Sequence, residues 1–235
     1  MKTTLLFTAA LGLMTSPDLL AQTVSLTPAV ANISALNVRN GIDVFLTQGN
    51  TESLRIDAKG FDEDEIVVRV VNGTLSLGVE RQGIWHGMGR NSFVKAYLTV
   101  KNLSAISVSS GADVHGQSDF SADRLDINVS SGADLTMGVK ARDMTVSVSS
   151  GADATLSGST ERLVAKSSGG ADLHAQKLIA DVCQVQASGG ADAKVYGRKE
   201  LRLQASGGGD IDYSGPGQVM SRQTSGGGDI NGRNN

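Results

Sequence analysis

Several things are scarce in this chain of 235 residues, and each scarcity excludes something. There is a single cysteine, Cys183, so no internal disulfide can form. Aromatic residues make up 4%, so the core must be built from Val, Leu, Ile and Ala. After the first 21 residues no apolar run approaches the length that crosses a bilayer as a helix. Basic runs are missing too, and a net charge of -3 with a pI near 5.6 gives no general attraction to nucleic acid or anionic lipid. There is no Gly-x-Ser-x-Gly elbow, no phosphate-binding loop, no His-Glu-x-x-His and no paired-cysteine metal motif.

What is present is glycine, 29 residues of it against three prolines, and it is not scattered. The phrase Ser-(Ser/Gly)-Gly-(Ala/Gly)-Asp occurs seven times. It ends at Asp113, Asp134, Asp153, Asp172, Asp192, Asp210 and Asp229, at intervals of 21, 19, 19, 20, 18 and 19 residues. A fixed period of this size without a helical pattern between copies marks a solenoid of stacked β coils. One residue after each Asp, and five, seven and nine before it, the columns are mostly apolar, while the positions between are mostly polar. That alternation gives each coil strands with one buried face. Cys183 falls in an apolar column, which predicts an inert buried thiol. The predicted fold is an all-β, right-handed parallel β-helix of about 19–20 residues per coil.

The five-residue phrase fits a corner. Glycine permits positive φ, and Ser and Asp can hydrogen-bond their own nearby backbone groups. An earlier copy is visible in Leu36, Val38, Gly41, Asp43 and Val44, so a first coil (33–44) precedes a β excursion (45–100) and the repeated coils (101–235). Within the excursion, Leu54–Ala58, Val67–Val70 and Phe93–Val100 read as strands, and Asn72-Gly73 as a tight hairpin turn. In the last copy Arg222 and Thr224 replace apolar residues, as expected of a polar end cap.

Residues 1–21 read as a secretory signal: Met1-Lys2 supplies a positive start, Leu5 to Met14 a short apolar stretch, and Ala21 a small residue before cleavage. Residues 22–32 are then a linker and 33–235 one solenoid domain. The order of Ile33-Ser34-Ala35-Leu36-Asn37-Val38, Gly-Ile-Asp-Val at 41–44, the hairpin before Leu75-Ser76-Leu77 and the repeated Gly-Gly-Asp turns resembles the head GIN domain family of exported bacterial proteins, also described as an auto-transporter adhesin domain. Only Asp210-Ile211 and Asp229-Ile230 keep the Asp-Ile of that family's turns. The resemblance implies a β-helical fold and an exported, surface-associated role, and brings no catalytic residues.

Two candidate sites follow. The column Asp113, Asp134, Asp153, Asp172, Asp192, Asp210 and Asp229 is either a ladder of corner caps or a calcium ladder. The segment from Gln82 to Arg90, with Trp85, His86, Met88 and Arg90, is either a contact tip or a flap over the open end of the solenoid. His115 and His174 share a column but lie three coils apart, too far for one metal. The expected function is a non-catalytic binding or structural module of the cell envelope, adhesin-like, without a cofactor. Its ligand would be a glycan, a surface protein or another copy of itself. The rival is a polysaccharide-active enzyme using a pair of carboxylates.

Overall fold

A computed structural model describes residues 23–80 and 92–233. The chain begins with β1 (Thr23–Leu26), and the first coil is β2 (Ala35–Arg39) and β3 (Asp43–Gln48). Then come β4 (Ser53–Lys59), a 3-10 turn at Glu63–Glu65, β5 (Ile66–Val71), β6 (Thr74–Val79), β7 (Phe93–Val100) and β8 (Ala105–Ser109). Five long strands follow, each running from one Asp to a later Ser of the repeat: β9 (Asp113–Ser130), β10 (Asp134–Ser149), β11 (Asp153–Ser168), β12 (Asp172–Ser188) and β13 (Asp192–Ser206). The chain closes with β14 (Asp210–Ser214), β15 (Gln218–Ser225) and β16 (Asp229–Arg233).

The coils stack in parallel and in register, Asp upon Asp: Asp113 opposite Asp134, then Asp153, Asp172, Asp192, Asp210 and Asp229. The fold is thus a β-solenoid, as the period requires. Two faces meet at the Gly corner. The first face holds the stretch after each Asp, in the order β1-β4-β7-β3-β9 and onward to β16. The second holds the stretch before each Ser, where β5, β6, β2 and β8 lead to β9. Inward columns such as Val114, Leu135, Leu173 and Ile211 are fully buried, and Cys183 lies among them. Each buried Val, Leu or Ile contributes about 1.5–3 kcal/mol, and Ala fits where the interior is narrow.

The excursion is no departure from the stack. β6 and β7 lie in parallel on β2 and β3, forming a further layer. Beyond it, β5 and β4 pair with them in antiparallel fashion, β5–β6 being the hairpin closed at Asn72-Gly73. β1 then covers β4. The N-terminal end is therefore closed by antiparallel strands laid across the repeat. At the other end, Arg222 reaches over the last coil and donates to the Ile230 carbonyl. Met220, expected inside, is half exposed, because a bulge brings Val219 opposite Leu201 in its place.

Candidate functional site

The corner is the most regular part of the molecule. Its third-from-last and second-from-last residues before Asp both take positive φ in every repeated coil, as with Ser150 (58°) and Gly151 (67°), or Gly169 (66°) and Gly170 (70°). Two successive left-handed residues explain why Gly never varies at the second position. The Ala after it, as in Ala112 and Ala133, is fully buried, and its carbonyl accepts from the next coil: the Asp134 amide donates to the Ala112 carbonyl at 3.1 Å. In the last two corners Gly209 and Gly228 stand there instead. Their amides bond Ser206 and Ser225 within the same turn, and a methyl on Gly209 would come 2.6 Å from the Ser188 nitrogen.

One Asp side chain of the column reaches the neighbouring coil. The Asp210 carboxylate accepts the Asp229 amide at 3.2 Å. Alternate carboxyls are pushed above the usual range: Asp113, Asp153 and Asp192, first by partial burial and then by the charges above and below. Among the described residues no group of three or more His, Cys, Asp or Glu side chains is arranged to hold a metal ion.

The far bend, across the coil from the Gly corner, carries ion pairs. Asp143 is clamped by Arg142 and Arg162, and Asp181 by Arg198 and Lys199. Those hydrogen bonds hold Asp143 down at about 2 and lower Asp181 as well. Asp181 lines a groove of about 420 Å³ here, and carboxylates kept ionised in this way are the reverse of a raised general acid. Cys183 is inert: burial pushes its thiol up to about 12.

The outward column two residues after Asp behaves differently. Across β4, β7, β3 and β9 it reads Arg55, Tyr97, Phe45, His115, all in register. The Phe45 and Tyr97 rings stack with centroids 5.1 Å apart, and Arg55 caps Tyr97 with its guanidinium carbon 4.3 Å from the ring centre. His115 tilts against the other side of Phe45 at 5.5 Å. Tyr97 is 37% exposed. Of the few aromatic side chains, Phe120 is the one fully buried among the described residues. The sequence reading missed this ladder, although Phe45 stands two residues after Asp43 just as His115 stands two after Asp113. Trp85, His86, Met88 and Arg90 lie outside the described residues.

The family model described as "Putative auto-transporter adhesin, head GIN domain" matches residues 32–217. The chain belongs to the head GIN domain family. Solved structures share its fold. A "putative adhesin" from Bacteroides fragilis superposes with a TM-score of 0.80 at 19% identity, covering 90% of this chain and 97% of its own. A second such adhesin, from Parabacteroides distasonis, gives 0.72 at 17%, covering 90% and 97%. A "putative lipid binding protein" from the same species gives 0.69 at 17%, covering 90% and 96%. No curated protein matches the chain. Among the described residues no helix is long and apolar enough to cross a membrane.

Proposed function

We propose that this head GIN protein is a non-catalytic, adhesin-like binding module of the cell envelope, exported by the leader in residues 1–21. The observation that carries this reading is the outward ladder Arg55–Tyr97–Phe45–His115. Aromatic side chains beside a guanidinium on an exposed sheet are the groups that anchor partners. In a protein so poor in aromatics, placing them outside leaves apolar area available for contact rather than for folding. The ion-paired carboxylates of the far bend support a binding role over a hydrolytic one. The partner is a component of a bacterial envelope, met by the first face.

The test is cosedimentation of the exported protein with isolated envelopes. The double variant Phe45→Ser, Tyr97→Ser should bind about tenfold more weakly, with the solenoid still folded, because stacked pairs add only about 0.5–1.5 kcal/mol to stability. Undiminished capture of the double variant, or no capture of the unaltered protein, sinks the reading.

A further inference from the structure

At the opposite end of the first face lies a groove of about 500 Å³. It is framed by Gln176, Lys194, Tyr196, Asp212, Ser214 and Arg233, contributed by four successive coils. Register sets the frame: Lys194 stands opposite Asp212, Tyr196 opposite Ser214, and Ser214 opposite Arg233. Tyr196 leans over Gly215, where a methyl group would lie 3.1 Å from the ring's Cε1 and Cζ. That glycine, at φ 101°, lets the ring lie against the next coil.

The charges in the groove do not cancel. Asp212 is paired with Arg233 at 3.4 Å. Lys194 has no ion pair, and neither Lys194 nor the Tyr196 hydroxyl has a hydrogen-bond partner, among the described residues. Among the side chains that line the groove one positive charge is therefore in surplus, with Asp192 of the corner column its nearest charged neighbour on the same strand, in a chain whose net charge is -3. Here the half-buried Tyr196 ring stands two residues from the Lys194 ammonium on one outward face, and opposite Lys194 lies Asp212 with its accepting oxygens.

We infer that this groove binds a carboxylated saccharide, one of uronic-acid type, an assignment that rests on the binding role proposed above and names its ligand class. The Tyr196 ring packs against the C–H face of a pyranose. Asp212 accepts hydrogen bonds from sugar hydroxyls, which a charged acceptor makes strong. Lys194 pairs with the sugar carboxylate. The coils rise by about 4.8 Å, close to the length of one sugar unit, so an extended chain meets successive coils in phase. The far-bend groove offers none of this, since its arginines are already engaged by Asp143 and Asp181 and no aromatic ring lines it.

The experiment titrates the full chain, expressed with its leader and purified after export, with trigalacturonate by isothermal calorimetry. Maltotriose serves as the neutral sugar and tricarballylate as the anion without a sugar ring. Trigalacturonate should bind at least about tenfold more tightly than either. Lys194→Gln should erase the preference over maltotriose. Tyr196→Ala should weaken both sugars about tenfold, while Val71→Ser, at an exposed position of β5 outside the groove, leaves them unchanged. Both groove residues are outward and partly exposed, and unchanged melting of the variants verifies that they fold. Equal binding by the groove variants, equal binding of tricarballylate, or no binding up to about 10 mM overturns the assignment. If envelopes still capture the protein in that case, the saccharide alone is wrong. If they do not, the binding role falls with it.

Discussion

The two bends of each coil solve the same problem in opposite ways. At the Gly corner the backbone repeats its left-handed pair and its amide ladder from coil to coil. At the far bend it does not. The intervals of 18 to 21 residues are absorbed away from the Gly corner, by shifts of register between Thr136 and Gly138 and between Thr155 and Ser157 on the way to the far bend, around Ala175 to Val182, and between Leu201 and Arg202. The difference teaches that a stack needs one corner held in register and tolerates slack in the other, because a bulge costs local ladder bonds and leaves the buried columns aligned.

That contrast can be broken by substitution. The largest loss is expected at a glycine of the far bend. A methyl on Gly158, at φ 108°, would come 2.1 Å from the Val139 carbonyl oxygen. Gly158→Ala should therefore cost about 3 kcal/mol or more in denaturant unfolding. At the corner, a methyl on Gly170 meets nothing within 4 Å, so Gly170→Ala pays for positive φ alone, about 1–2 kcal/mol. If the two losses are equal, the bends are not separate designs.

A pH series sharpens the comparison next. Asp113, Asp153 and Asp192 are raised above an unfolded value near 3.8, so they take up protons more readily in the folded chain. Their contribution is complete below 3.8 and is lost as pH rises through their folded values. Asp43 and Asp134 face Asp113 with His115, Asp134 and Asp172 face Asp153 with His174, and Asp172, Asp210 and Asp212 face Asp192 with Lys194. The melting temperature should rise from pH 7 towards pH 4, and replacing all three by Asn should flatten that slope. Asp143 works in the other direction, but its contribution is lost only as pH falls through about 2. A melting temperature that falls between pH 7 and pH 4 would refute the repelling column.

Smaller effects remain. Ser150 holds φ 58° without the freedom of glycine, so Ser150→Gly should stabilise by about 0.5 kcal/mol, strain relief exceeding the added chain entropy. Smallest of all is calcium. With one carboxylate per coil and no second ligand beside it, millimolar calcium or a chelator should leave the melting temperature unmoved, and a clear rise would turn the corner caps into a metal ladder.

Much of this was legible from the chain alone. The Asp period located every corner, and the apolar columns located the core down to Cys183. The hairpin was readable from Asn72-Gly73. Met220 was misplaced because a one-residue bulge leaves no mark in composition. The layered end and the ladder Arg55–Tyr97–Phe45–His115 were hidden for another reason: β4 and β7 join the stack out of sequence order.

The sequence by itself determined the repeat, its inward columns and the corner, because those depend on local backbone freedom and on period-two burial. Only the tertiary structure decided which outward side chains meet. Stacking joins residues about twenty or more positions apart, and no local rule brings Tyr97 onto Phe45, or Lys194 and Arg233 into one groove.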